Sequence, residues 1–236
     1  MQKEIESTTQ ADQVRNELRS AILSGAFAPG ERIRMNLVAS DMSVSLGAVR
    51  EALSRLAAEE IVTATAQRGY RVAALSAEEL NDLTETRIAL EQLCLRASIA
   101  EGGVEWEASL VAALHRLLRL PEFEEGDGAR LSRAWSEAHH AFHDALVSGA
   151  RGVWMNKFRS ALYVQAERYR RLSVPLRTTD RDVAGEHRQL CEAALARDAD
   201  SACALMRSHL GRTSEILLRS PLLAAVAPEE AETERA

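Results

Sequence analysis

Apolar residues recur every three or four positions along most of this chain, and the places where that rhythm breaks divide it into helices. Val14, Leu18, Ala21 and Ile22 mark a first helix, with Thr9 as its cap and Asp12 at the third helical position. Gly25 supplies a stop and Pro29-Gly30 forces a turn. Leu37, Val38 and Ala39 belong to a short second helix. Ser45 caps a third, which runs to about Ala58. On it Val49, Ala52, Leu53 and Leu56 share one face, while Arg50, Ser54 and Arg55 lie off that face. The rhythm then shortens to β-type runs at 61–65 and 70–73 around Gln67-Arg68-Gly69, which predict a hairpin.

Helical spacing resumes after a capping box, Ser76-Ala77-Glu78-Glu79. Leu80, Leu83, Ile88, Leu90, Leu93, Leu95 and Ile99 carry that helix to Gly102-Gly103. Further helical patterns fall at about 104–119, 128–148, 151–173, 180–196 and 200–219. They are separated by Pro121 with 122–128, by 149–152, by Val174-Pro175 and by 197–200. No internal repeat of fixed period is present. The expected fold is therefore mainly α. A winged helix-turn-helix occupies 1–75, and an all-α antiparallel helical bundle of six helices occupies 76–220. Residues 1–8 are expected to fray. The polar, acidic segment 221–236 is expected to be disordered. The short connection after the wing predicts mechanical coupling between the two parts.

Composition sharpens this division. The chain has 236 residues, 46% of them apolar and only 4% aromatic, which suits an α-rich globular protein with a sizeable core. The net charge of −6 is unusual for a polyanion binder. Split at Leu75, the first part holds 9 basic and 9 acidic residues and the second holds 20 and 26, so the acidity belongs entirely to the second part. A neutral small domain still binds phosphates where its arginines cluster on one face. Cys94, Cys191 and Cys203 have neither paired nor metal-type spacing, which fits a reducing compartment. With no apolar run near 18 residues and no signal peptide, the sequence predicts a soluble, cytoplasmic protein.

The helix-turn-helix-wing order gives its polar residues a use. Arg50, one turn into a helix capped by Ser45, is placed to meet a phosphate or a base edge. Arg34 and Arg55 are further basic candidates for DNA contact. Arg68, beside Gly69 at the wing tip, can reach the backbone or the minor groove, as can Arg71. A lone amphipathic helix would more simply carry solvated arginines.

The bundle holds the unusual histidines. His139 and His143, at i and i+4, share one helix face. His187 and His209 each lie 11 residues from Asp198, the centre of a turn, so in an antiparallel hairpin they stand level. Four imidazoles converging in a bundle would bind a borderline divalent metal such as zinc or nickel, with zinc–nitrogen distances of about 2.0–2.1 Å. Scattered surface or capped histidines are the simpler alternative. His115 and His140 have no such relation and read as structural or surface residues.

Residues 12–73 resemble the N-terminal domain of the GntR family of bacterial transcription regulators. The resemblance rests on Ile22, Gly25, Pro29-Gly30-Glu31-Arg32-Ile33, Val44-Ser45, Val49-Arg50-Glu51-Ala52-Leu53, Leu56 and Arg68-Gly69 with Val72. Two departures stand out. Leu46 occupies a position where the family commonly has a DNA-contacting arginine, within Leu46-Gly47-Ala48, and Met35 stands where an acidic residue is usual. Residues 78–218 resemble the FCD-type helical effector domain of the FadR-like branch, through Arg87-Ile88-Ala89-Leu90-Glu91, His139-His140-Ala141-Phe142-His143 with Leu146, Glu186-His187, Asp198 and His209-Leu210. Six helices rather than seven suggest its VanR-like subgroup. The resemblance implies a metal bound by one Asp or Asn and three His. Here His143, His187 and His209 match the histidines, and His139 replaces the acidic or amide ligand.

The resemblance further implies a homodimer reading a pseudo-palindromic DNA operator, controlled by a small organic carboxylate held near the metal. A carboxylate calls for a cation, and Arg87 matches an arginine of the family's Arg-x-x-Leu-Glu run, although an ion pair with Glu91 at i+4 is an equal reading. Arg168, Tyr169 and Arg170 also qualify as pocket residues, and spacing does not choose among them. The function expected is a transcription regulator rather than an enzyme, since no general base with a motif around it accompanies the histidines. A dimerising DNA binder without effector, or a metal-dependent enzyme on the bundle, would be the alternatives.

Overall fold

The computed structural model describes residues 9–65, 68–177 and 181–224. Contacts divide the chain into two compact units, Met1–Leu75 and Ser76–Ala236.

In the first unit, helix α1 (Gln10–Leu23) begins at a capping box in which Thr9 and Asp12 satisfy each other's backbone N–H groups. It buries Ala11, Val14, Leu18 and Ile22 and ends before Gly25, whose φ of +81° permits the left-handed exit. Strand β1 (Arg32–Ile33) leads into α2 (Met35–Asp41) and α3 (Leu46–Ala58). The Ser45 hydroxyl accepts the Ala48 N–H at the head of α3, and Val49, Ala52, Leu53 and Leu56 face inward. Strands β2 (Val62–Thr65) and β3 (Gly69–Val72) form the wing, with β3 central in a sheet of order β1-β3-β2. β1 was not expected: two residues are too short for alternation to register. Of the expected turn, Gln67 lies outside the described residues.

The second unit is built on α4 (Ala77–Glu101), α5 (Val104–Leu118), α6 (Arg133–Val147), α7 (Val153–Ser173), α8 (Val183–Leu195) and α9 (Ala199–Leu218). The expected helix at 128–148 starts too early. Its first residues belong to a hairpin, β4 (Phe123–Glu124) with β5 (Asp127–Leu131), which turns through Gly126 at φ +80°. Ser132 then caps α6 by accepting the Trp135 N–H. Pro175 sits in a short 3-10 turn after α7. Residues 221–224, assigned by composition to a disordered tail, form a short helix, α10 (Pro221–Ala224), because Leu223 is buried; the rest of that tail lies outside the described residues.

The core of this unit gathers Leu95, Leu110, Leu117, Phe142, Leu146, Leu190 and Met206. Its helices approach closely at one end. A Cβ on Gly149 would lie 2.9 Å from the Ser98 carbonyl oxygen, and the Ser98 hydroxyl accepts the Ala150 N–H at 2.8 Å. Among the described residues no helix is long and apolar enough to cross a membrane.

Candidate metal centre and reading surface

On the first unit Arg34, Arg50 and Arg68 are exposed. Arg34 stands at the head of α2 and Arg50 one turn into α3, on the side away from Val49 and Leu53. Arg68 adjoins Gly69, whose φ is +86°. Arg55 has another job. Its guanidinium donates to Asp12 at 2.6 Å and to Glu51 at 2.5 Å, tying α3 to α1 rather than projecting from the surface. Arg71 likewise donates to the Gly30 carbonyl at 2.9 Å, strapping the wing to the turn before β1. Leu46 is 40% exposed at the start of α3, an apolar residue on an otherwise polar edge.

The second unit brings the four histidines together. Helix α6 supplies His139 and His143 one turn apart, and the α8–α9 hairpin supplies His187 and His209 on either side of Asp198, which caps α9. One ligand atom from each lies within 4.8 Å of all the others, and all four residues are buried. Ring centroids are 4.6 Å apart for His139–His143 and 4.9 Å for His187–His209.

Burial first, and then mutual repulsion among the rings and nearby arginines, holds His139 and His143 well below the usual histidine range. His187 is lowered in the same way. Neutral imidazoles present lone pairs, which is the form a metal takes. The cluster is also short of partners: His139 Nδ1, both ring nitrogens of His143 and His187 Nε2 are buried and find no hydrogen-bond partner within the protein. The donor set therefore fits a borderline metal ion.

The rings are held from behind. His209 Nδ1 is 2.7 Å from a carboxylate oxygen of Glu186, which leaves Nε2 for the cluster. Glu186 also receives Arg181 at 2.7 Å and Arg212 at 2.5 Å, and despite its burial these partners depress its pKa far below the usual carboxylate range. Arg181 further donates to the His209 carbonyl at 2.8 Å. On the other side Trp135 stacks on His139 at 4.8 Å. In the sequence Glu186 stands out only as part of the Glu186-His187 match, with no ligand or support role attached. Its place beside His187 in the chain and the i,i+4 rule gave no hint that it would serve His209, 23 residues away.

A cavity of about 40 Å³ opens against the cluster, lined by His139 and His209 together with Arg87, Tyr169 and Arg170. Leu80, Leu83 and Leu210 form its apolar wall, and Thr84, Thr213 and Ser214 add hydroxyls. That volume holds roughly three waters, the size of a small polar ligand. Arg87 is only 8% exposed, and its guanidinium lies 5.3 Å from the Tyr163 ring. Its Nε stands 3.8 Å from Glu91, an i,i+4 ion pair too long for a hydrogen bond, and it has no hydrogen-bond partner. Glu91 instead accepts Arg159 at 2.8 Å, and Arg159 donates onward to Asp144 at 2.6 Å. Of the three candidates on α7, Tyr169 and Arg170 line the cavity and Arg168 does not. Arg170 is clamped by Glu167 through two bonds of 2.7 and 2.6 Å. The His140 ring lies tilted against Tyr163, with centroids 4.1 Å apart, outside the cluster.

Comparison with known proteins agrees with both units. Residues 10–72 match the model of "Bacterial regulatory proteins, gntR family", and residues 82–212 match that of the FCD domain. The chain is 41% identical over 206 residues to BphR, an HTH-type transcriptional regulator of Paraburkholderia xenovorans (strain LB400), covering 87% of this chain and 84% of that one. It is 38% identical over 200 residues to the HTH-type transcriptional repressor GlaR of Escherichia coli (strain K12), covering 82% and 89%. Among solved structures, E. coli McbR/YncC superposes with a TM-score of 0.70 at 19% identity, over 90% of this chain and 99% of that one, which shows the shared fold.

Proposed function

The chain belongs to the GntR family of bacterial regulatory proteins, a DNA-binding transcription regulator with an FCD domain, and from that premise we propose that it acts as a homodimer on a pseudo-palindromic operator under the control of a small organic carboxylate. The carboxylate binds beside a divalent metal ion, zinc or nickel, in the second unit. One observation carries this reading: the cavity is lined at once by two of the four clustered imidazoles and by the buried, incompletely paired Arg87. His139, His143, His187 and His209 would hold the ion, which would supply a Lewis-acidic anchor for one carboxylate oxygen. Arg87 provides the matching charge, with Arg170 at the same wall. Arg34, Ser45, Arg50, Arg68 and Gly69 form the reading edge. Ser45 contributes through the cap it gives α3, and Arg55 by bracing α3 against α1.

Ligand binding shifts the placement of the two reading units in the dimer and so changes DNA affinity. Repression relieved by the ligand is the proposed sign, in keeping with the name of the E. coli relative. The six long helices support the VanR-like subgroup. A DNA partner implies work in the bacterial cytoplasm.

The test is fluorescence anisotropy on DNA from upstream of the protein's own gene against a scrambled duplex, at one stated salt concentration. A preference of about a hundredfold or more is expected for a specific reader. Equal weak binding to both would count against an operator at that place. Metal content by mass spectrometry should reach one ion per chain and vanish in a His143→Ala, His187→Ala variant. Unchanged content there would remove the histidines from the proposal.

A further inference from the structure

The reading edge of the first unit is apolar at one turn. Helix α3 begins Leu46-Gly47-Ala48, and none of these three side chains can give or take a hydrogen bond. Ser45, just before them, commits its hydroxyl to the Ala48 N–H at 3.1 Å. Val49 is fully buried, so Arg50 is the first residue of α3 whose side chain can address a base edge by hydrogen bonding. Yet the opening turn is where a recognition helix meets the bases. Leu46 is 40% exposed there, and exposed Arg50 follows it one turn further along the same face. Glu51, on the adjoining stripe, is held by Arg55.

Gly47 carries a second, separate sign. Glycine is a poor helix former, and in an exposed turn of helix it is destabilising relative to alanine. The fold does not require it. Its φ lies outside the left-handed region, and a Cβ built there would meet only the Ser45 hydroxyl oxygen, at 3.8 Å, an ordinary contact. The room left beside Leu46 faces outward. An apolar side chain next to an open notch matches one feature of duplex DNA. Base edges in the major groove present hydrogen-bond donors and acceptors, and one projecting apolar group, the C5 methyl of thymine. We infer that Leu46 is a base-selecting residue that reads a thymine methyl seated in the notch over Gly47. The helix climbs about 6 Å from Leu46 to Arg50 and the duplex about 3.4 Å per base pair, so this thymine lies within about two base pairs of the base that Arg50 meets. An arginine at position 46 would select guanine instead.

The inference rests on α3 as the reading helix, and the experiment keeps the two apart. The full chain selects duplexes from a random DNA library at one stated salt concentration. In the enriched duplex each thymine is replaced in turn by deoxyuridine, which lacks only the methyl, and affinity is read by fluorescence anisotropy. Loss of the contacted methyl should weaken binding about fourfold, the contribution of one buried methyl-sized group, and on the order of fifteenfold when two half-sites are changed together. Leu46→Ala should bind the thymine and deoxyuridine duplexes alike, with its melting temperature unchanged. Leu46→Arg, put through the same selection, should enrich guanine at that position. Gly47→Ala should keep the fold and lose affinity for the thymine duplex, because its methyl fills the notch. Arg50→Ala should weaken every duplex and keep the methyl effect. A native chain indifferent to every thymine methyl, or a methyl effect that survives Leu46→Ala, overturns the role of Leu46. An enriched duplex bound equally well by Arg50→Ala removes α3 from the reading edge and the inference with it. A library from which nothing is enriched overturns sequence reading by this chain altogether.

Discussion

The His209 ring is pinned by a carboxylate that belongs to its neighbour helix: Glu186 on α8 reaches across to Nδ1 of His209 on α9 at 2.7 Å. This fixes the tautomer and turns Nε2 toward His139, His143 and His187. Glu186→Gln keeps the shape but cannot draw the Nδ1 proton with the same charge. We expect metal affinity to fall about tenfold to a hundredfold, read by chelator competition on the purified chain. An unchanged affinity would mean that Glu186 serves only its arginines.

Arg50 and Arg55 lie in the same helix and should behave differently. Arg50→Ala removes an exposed basic group with no structural bond to lose, so operator affinity should drop on the order of tenfold to a hundredfold with the melting temperature unchanged. Arg55→Ala breaks the bonds to Asp12 and Glu51 at a half-exposed site. It should cost up to about 1 kcal/mol of stability in thermal unfolding and alter DNA binding less than Arg50→Ala does. The reverse ranking would exchange their roles.

Acid should loosen the second unit through Glu167. Arg170 and Arg171 outweigh the penalty of burial and hold this carboxyl at about 2, against an ordinary value of 4.5. A carboxyl depressed in the folded state stabilises that state fully above its unfolded value. The stabilisation declines as pH falls below about 4.5 and is gone once pH passes 2. Integrated over that window it is about 3 kcal/mol. Urea midpoints between pH 6 and pH 3 should therefore fall steeply in the native chain. In Glu167→Gln the slope should be shallower, from a lower start, because Arg170 is left buried without its partner.

Gly149→Ala tests the tight contact between the ends of α4 and α6. The added methyl would sit 2.9 Å from the Ser98 carbonyl and 3.0 Å from Gly102 Cα, both backbone atoms that cannot swing away. A destabilisation of about 1–3 kcal/mol is expected by denaturant titration.

Much of this architecture is legible along the chain because its signals are local. Thr9 with Asp12, Ser45 and Ser76 announce their helices within four residues, and the capping geometry follows. The level placement of His187 and His209 is arithmetic on one turn. What escaped reading is either too short or too distant. The strand Arg32–Ile33 has no room for a period. The 123–131 hairpin is rich in charge and glycine, so its alternation is lost and its last residues look like the start of α6. Arg55 finds Asp12 43 positions back, and Arg159 finds Glu91 68 positions back. Such pairings belong to the packed state. The same holds for the cavity's preference for Arg170 over Arg168, two residues that a helix separates by 200°.

The charge chain from Arg87 through Glu91 and Arg159 to Asp144 leaves hydrogen-bonding capacity unfilled at its inner end, where the Arg87 Nε and one Glu91 oxygen face each other at 3.8 Å without a hydrogen bond. As proposed above, a small acid would pair the Arg87 Nε and an ion would take up the free histidine nitrogens, and both would bind only the folded chain. Their concentrations would then enter the folding equilibrium directly, with roughly 2.7 kcal/mol gained at a hundredfold excess over the dissociation constant. Opened chains are what proteases degrade. Under the proposed function, the lifetime of this regulator in the cell, and so its copy number at the promoter, would be tied to the same chemical supply that sets its grip on DNA.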